Sequence, residues 1–296
     1  MNCNHERVEL QQMRYVVAVA EEGSFTRAAE RCRVVQSALS HQIKSLEREL
    51  GVQLFARTSR RVEITAAGTA FLLAARASLA AADRAINDAV ATTGEIRGTL
   101  TIGIIPTVTA VDLPAALGAF HRAHPEVRIR LRGGASNDFI TAIRHGRMDV
   151  AVLGLPDSMP PQGVSSSVLA RERLVAVTSS QHALAEKASL SLSELREERF
   201  VDFPENSPGR IPSDLAFQAA GVHREVAFEA MDTNLILSLV AQNLVVALLS
   251  PAVVPGNSAL RTIPIVDGPT RIEYLAWSGF NPSPAAQAFR EYLIPE

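Results

Sequence analysis

The sequence predicts a chain of three parts: a small helical head with a short β extension, one long helix, and a larger α/β body of two lobes. Three observations carry this expectation. Between Ser24 and Leu50, two short helical patterns are separated only by a tight turn. From Ala66 to about Thr93 an Ala-rich helical pattern runs without a break, with apolar residues recurring every seven positions. From Thr99 onward, short apolar runs alternate with helical stretches, as in a sheet whose strands are joined by helices. At 296 residues the chain has room for two or three such units.

The head begins with a helix over Val8 to Glu21, in which Leu10, Met13, Val16, Val17 and Ala20 are expected to pack inward. Ser24 is placed to cap a second, short helix that ends near Cys32, and Arg33 to Val35 form the turn. A third helix runs from Gln36 to Leu50 and stops at Gly51, a residue suited to the left-handed position past a helix end. Leu39, Ile43, Leu46 and Leu50 fall at helical spacing and should face a core. The other side carries Gln36, Ser37, Ser40, His41, Lys44 and Arg48, all hydrogen-bond donors or cations. A helix of this kind, held on a shorter one by a tight turn, has the geometry of a helix-turn-helix whose second helix enters the DNA major groove. The following VQLFARTSRRVEIT reads as a turn and a two-stranded wing, anchored by Phe55 and tipped by Arg57, Arg60 and Arg61. Arginines on a wing suit phosphates or the minor groove.

Charge is divided in the same sense. Ser24 to Thr65 holds eight Lys/Arg against four acids, a balance of +4, while the whole chain is -2, so the remainder sums to -6. A basic head on an acidic body fits a head that meets phosphate and a body that does not.

In EEGSFTRAAERC, QSALSHQIKSLERELGVQLFAR and RRVEITAAG the chain strongly resembles the LysR-type transcriptional regulators. The resemblance continues through the long helix into the body. It implies double-stranded DNA as the partner, with Gln36, Ser37, Ser40 and His41 on the recognition helix and Arg60 on the wing as contacts; the cations Arg33, Lys44, Arg57 and Arg61 beside them complete the expected DNA-binding residues. Three positions depart from the usual pattern: Val35 stands where Ser or Thr commonly caps the helix, Ser37 where Pro is frequent, and His41 where Arg is frequent. A missing cap costs about 1 kcal/mol.

Along the long helix Leu72, Leu79 and Ile86 repeat every seven residues, with Ala75, Ala82 and Ala89 three beyond each. That is a seam over three heptads, and small residues let a partner helix come close, so dimerisation is expected here. The resemblance agrees, since the family's linker helices pair two heads for a two-fold promoter site. It further implies a tetramer built as a pair of dimers, with RNA polymerase as another candidate partner.

After a hinge at 94–98, the body reads as strand LTIGII, a helix ending at His124-Pro125, strand VRIRLRGG, a helix over Asn137 to His145 and strand DVAVLGL. In VRIRLRGG, Val127, Ile129 and Leu131 should face the core and Arg128, Arg130 and Arg132 the water. Past a Pro-rich break, LARERLVAVTSS is expected to open the second lobe, and TRIEYLAWS to return to the first. The expected divisions are 1–65 for the head, 66–93 for the linker helix and 99–296 for the body, with lobe I at 99–164 and 268–296 and lobe II at 165–267. A hinged, two-lobed body resembles the type II periplasmic binding proteins, as LysR-type effector domains do.

The cleft of such a body should be lined where strands end and helices begin. Thr107, Val108 and Thr109 follow the first body strand, Ser136 and Asn137 open the second helix, and Phe203 ends a strand in the second lobe, where the resemblance also puts cleft contacts. Hydroxyls beside helix-start N–H groups suit a carboxylate, so an organic acid is the expected type of effector. Asn243 and Val245 occupy places where the family often has glycine; Asn tolerates a left-handed backbone, whereas Val245 suggests a narrower cleft wall.

The rest excludes other classes. Cys3 and Cys32 give no disulfide framework, and Cys32 reads as a small buried hydrophobe. There is no signal-peptide run, spanning segment, phosphate-binding glycine loop, nucleophile elbow or zinc-finger spacing. His121 and His124 lack a third metal ligand, and no cofactor is expected. The expectation is a cytoplasmic, ligand-responsive DNA-binding regulator and not an enzyme. A solute-binding protein or enzyme built on the body is the alternative from another class, and a constitutive DNA binder without an effector the third reading.

Overall fold

The computed structural model describes residues 8–57, 62–91, 95–256, 259–280 and 282–293, which fall into two compact units. Arg60, Arg61, Cys3 and hinge residue 94 lie outside the described residues, as does the side chain of Arg57.

The first unit holds α1 (Leu10–Glu22), α2 (Phe25–Cys32), α3 (Gln36–Leu50), β1 (Phe55–Arg57), β2 (Val62–Ile64) and α4 (Ala66–Ala91). Ser24 caps α2, its hydroxyl accepting from the Arg27 N–H at 3.4 Å. Gly23 and Gly51 take left-handed conformations at the ends of α1 and α3. Arg33 does the same at the end of α2 with φ 56°, and this tightens the α2–α3 turn. Leu39, Ile43 and Leu46 are buried against Val16, Val19, Phe25, Ala28 and Phe55, with the Phe25 and Phe55 rings edge to face at 5.9 Å. Cys32 is half-buried at the margin of this cluster, and burial raises its thiol pKa.

Two expectations about packing shift. Leu50 is exposed, because Gly51 turns the chain away before a further turn of helix could cover it. On α1 the buried side is Gln12, Tyr15, Val16, Ala18 and Val19, while Leu10 is exposed. The inward stripe is thus rotated from the expected one, since α1 must face both the helix pair and α4.

The wing is antiparallel, Phe55 opposite Ile64 and Arg57 opposite Val62. Thr65 joins wing to long helix. Its hydroxyl donates to the Gln53 carbonyl at 2.7 Å and accepts from the Gly68 N–H at 2.9 Å. Along α4, Leu72, Leu79 and Ala82 are half-buried and Ile86 and Ala89 exposed, but Ala75 is only 1% exposed. Ala75 is therefore enclosed within its own chain and is not available to a partner. α4 lies along α1, and Arg76 of α4 pairs with Glu21 of α1 at 2.9 Å.

In the second unit, β3 (Gly98–Ile104), α5 (Leu113–Ala123), β4 (Val127–Gly133), α6 (Ser136–Arg144) and β5 (Val150–Leu155) follow in the expected order. They are succeeded by β6 (Ser165–Arg173), β7 (Val175–Ser179), β8 (Arg199–Asp202), α7 (Ile211–Ala219), β9 (Glu225–Glu229), α8 (Thr233–Ala241), β10 (Ala247–Leu249), β11 (Leu260–Ile263), β12 (Thr270–Trp277) and α9 (Pro284–Glu291). The first lobe is a five-stranded sheet of order β4-β3-β5-β12-β6, in which β3 pairs in parallel with β4 and β5, and β12 runs antiparallel to β5 and β6. One face packs on α5 and α9, the other on α6. The second lobe has sheets β10-β7-β11 and β8-β9.

The stretch expected to open the second lobe divides at Leu174. Its first part is β6, an edge strand of the first sheet, because its pairing partner β12 arrives only about a hundred residues later. Only β7 belongs to the second lobe, so that lobe begins near Leu174 and not at 165. Leu131 is also exposed: β4 is a sheet edge, and its last four residues are all exposed, as is Arg128. No described helix is long and apolar enough to cross a membrane.

The second lobe buries an ion pair. Arg224 lies over the rings of Phe200 and Phe217 at 5.6 and 5.3 Å and donates to Asp202 at 2.7 Å and Asp214 at 2.6 Å. Asp202 also accepts from the Phe203 N–H at 2.7 Å. Burial outweighs these partners and pushes the Asp202 carboxyl from its ordinary 3.8 up to about 6.

A Cβ on Gly68 would stand 2.1 Å from the Leu54 carbonyl oxygen and 2.7 Å from Ile64 Cγ1. Gly68→Ala should therefore destabilise the head by about 1–3 kcal/mol, read as a lower unfolding temperature. The raised Asp202 pKa means that the fold favours its protonated form. Its contribution to stability is complete below the unfolded value of 3.8 and lost as pH rises through about 6. The loss, up to about 3 kcal/mol, should disappear from the urea-unfolding pH profile of Asp202→Asn.

Candidate nucleic-acid interface and effector cleft

On α3 the apolar Leu39, Ile43 and Leu46 are buried, and Gln36, Ser37, His41, Lys44 and Arg48 are exposed together on the remaining surface. Ser40 is half-buried between the two sides. Arg33 is exposed at the turn before the helix. The helix starts at Val35, whose extended backbone is that of a cap but whose side chain accepts no hydrogen bond. At the other end Glu47 accepts from the Leu54 and Phe55 N–H groups at 2.8 and 3.2 Å. This carboxylate bolts the start of the wing to the helix. Glu47 reads in sequence only as one acid among the charges; its role depends on where the wing folds back.

In the body, a narrow cavity of about 30 Å³ lies between the lobes. That is well below the roughly 300–1,000 Å³ of ordinary small-molecule sites. Thr107 and Ser136 line it from the first lobe, beside Ile105 and the start of α6; Phe203, Ser207 and Met231 line it from the second. Thr107, Ser136 and Phe203 are thus brought together, whereas Val108, Thr109 and Asn137 are not. Val108 packs into the core of the first lobe, and Asn137 is exposed beside a separate groove with Ile140, Thr141 and Arg144.

Thr109 is occupied elsewhere: its hydroxyl donates to Glu273 at 2.6 Å and its N–H lies 3.1 Å from the same oxygen. The Ser136 hydroxyl is likewise engaged, donating to the Gly154 carbonyl at 3.1 Å and accepting from the Gly154 N–H at 3.0 Å. It ties the start of α6 to β5. The Thr107 hydroxyl accepts from Arg271, which leaves its own proton free to donate. Ser207 Oγ is buried and has no hydrogen-bond partner among the described residues.

The floor of the cleft is Arg271, which the sequence reading did not single out. Its guanidinium bonds Glu172 at 2.7 Å through Nε, the Thr107 carbonyl at 2.9 Å and Glu273 at 2.9 Å. Arg271 and Glu172 are opposite each other on β12 and β6, the strands at the two crossings between lobes. Glu172 in turn accepts from Ser250 of the second lobe at 2.5 Å. Glu273 is 0% exposed and takes two backbone N–H groups, from Thr109 and Ala110. The signal was available in TRIEYLAWS: Arg and Glu two apart within an apolar strand share a face, and buried charges of opposite sign require each other. Asn243 adopts φ 57° as expected, but Val245 is buried in the second-lobe core and is not part of the cleft wall.

Comparison with known proteins agrees with both halves. Residues 10–69 match the family profile described as bacterial regulatory helix-turn-helix protein, lysR family, and residues 93–296 the one described as LysR substrate binding domain. The transcriptional dual regulator GltC of Bacillus subtilis (strain 168) is 32% identical over 242 residues, covering 82% of this chain and 80% of its own. The uncharacterized HTH-type transcriptional regulator YnfL of Escherichia coli (strain K12) is 32% identical over 295 residues, covering 97% and 98%. Among solved structures, a full-length OxyR point variant from Pseudomonas aeruginosa superimposes with a TM-score of 0.75 at 25% identity, covering 98% of this chain and 94% of its own. Full-length CbnR complexed with its target DNA gives 0.68 at 26% identity, covering 97% and 99%. With a polar helix face braced to its wing, a cleft between two lobes of the body, and relatives along the whole length, this chain belongs to the LysR family of DNA-binding transcriptional regulators.

Proposed function

We propose that the chain grips a two-fold promoter site as a dimer. Gln36, Ser37, Ser40, His41 and Lys44 meet base edges and phosphates, with Arg33, Arg57, Arg60 and Arg61 clamping the backbone. The observation that carries this is the division of α3 into a side buried at Leu39, Ile43 and Leu46 and an exposed donor-rich side. The exposure of Ile86 and Ala89 supports pairing through the C-terminal half of α4. Tetramer assembly, contact with RNA polymerase and residence in the cytoplasm are the parts of this reading supported by family membership alone.

The cleft, in this reading, takes a small organic acid that biases the lobes toward closure and so alters the placement of the heads. Thr107 and Ser207 offer unspent hydroxyls at the polar end, and Ile105, Phe203 and Met231 cover an apolar body.

Duplexes selected from a random-sequence pool by the full chain provide the test. Gln36→Ala should lower affinity for the selected site by about tenfold to a hundredfold while leaving bulk-DNA binding nearly unchanged. Lys44→Ala should weaken binding to all sequences alike and reduce the salt slope by about one. Absence of any salt-sensitive sequence preference in the parent chain would overturn the DNA reading. For the cleft, a panel of aliphatic and aromatic carboxylic acids should contain one that raises the unfolding temperature. Met231→Trp, which fills the cleft from a partly exposed position, should abolish that response; no response to any acid rejects the acid reading.

A further inference from the structure

The start of α3 has an unusual composition for a helix end. Val35 occupies the capping position with φ -74° and ψ 142°, and its carbonyl accepts from the Ala38 and Leu39 N–H groups at 3.1 and 3.3 Å. The backbone is therefore that of an ordinary cap. Its side chain has no oxygen for the helix-start N–H groups, which Ser, Thr, Asp or Asn would supply. Neither is the isopropyl group used in packing. Its neighbour Val34 packs against the head core, whereas Val35 is 68% exposed. A residue that neither caps nor packs is costly in both respects to the isolated protein.

The surroundings indicate what the side chain meets. Gln36, Ser37 and Ala38 are exposed beside it, so the leading end of α3 carries two apolar groups, Val35 and the Ala38 methyl, next to a carboxamide. The first residues of a recognition helix are those that reach base edges. In the major groove, the base-edge group that seeks no hydrogen bond is the C5-methyl of thymine. The carboxamide of Gln can pair in two places with adenine, the partner base of thymine.

We propose that Val35 is a specificity-determining residue that reads a thymine methyl in each half-site, with Gln36 reading adenine of the same or the adjoining pair. The inference deepens the reading of α3 as the recognition helix and rests on it. The uncapped helix start is then explained: hydroxyl capping is exchanged for an apolar contact made only on DNA.

The test uses the full chain and the duplexes it selects from a random pool. Each thymine of a selected half-site is replaced in turn by deoxyuridine, which lacks only the methyl. For the parent chain, one replacement should weaken binding about fourfold, the value of one buried methyl group. Val35→Thr, which keeps one methyl and restores a hydroxyl cap, should retain part of this discrimination. Val35→Ser, which restores the cap and removes both methyls, should bind the thymine and deoxyuridine duplexes equally, with an unfolding temperature no lower than the parent's. If no thymine is sensitive in the parent, or if Val35→Ser retains the full discrimination, the proposal is overturned. Failure to select any sequence at all would instead remove the recognition-helix reading, and this inference with it.

Discussion

The burial of Leu39, Ile43 and Leu46 is the constraint on which the head depends. Each of these side chains contributes about 1.5–3 kcal/mol when removed from water, against about 1 kcal/mol for the absent cap at Val35. Packing therefore decides the rotation of α3, and the helix holds its position without the usual hydroxyl at its start. Once that rotation is set, Gln36, Ser37, His41 and Lys44 can only point away from the core. The exposed, donor-rich surface is a consequence of what the opposite side must bury.

The wing follows from the same arrangement. Glu47, on α3, satisfies two N–H groups at the start of β1, and Thr65 and Gly68 bring α4 back against Leu54. A carboxylate in the middle of a DNA-facing head would repel phosphate if free; bonded inward to two amides, it serves as a brace. The close approach of α4 tolerates no side chain at Gly68, which makes the junction of wing and long helix stiff.

In the body the corresponding element is the guanidinium of Arg271. It holds Glu172 and Glu273 on neighbouring strands and also bonds Thr107 at the cleft. Buried charges are expensive to desolvate, and a trio of this kind gives little net stability compared with apolar replacements. What it does give is connection: Arg271 joins Thr107 in the cleft to the two crossing strands, and Glu172 carries the link on to Ser250 of the other lobe. A ligand oxygen that takes the free Thr107 proton would act on the chain of bonds, Arg271 to Glu172 to Ser250, that spans the two lobes.

The sequence by itself determined the element order, the helix ends at Ser24 and Gly51, the two-sidedness of α3, the wing, and the alternation of strands and helices in the body. Periodicity and capping chemistry are local, so they can be read a few residues at a time. Asn243 was readable for the same reason, since its left-handed backbone is a property of one residue and its neighbours. Only the tertiary structure decided what depends on distant partners. β6 joined the first lobe because β12 returns to pair with it; Ala75 was enclosed within its own chain; and Thr109 was taken up by Glu273, 164 positions away, leaving Thr107 at the cleft. A residue's type states what it can bond, but which groups remain unspent for a ligand is known only after every remote partner has taken its share.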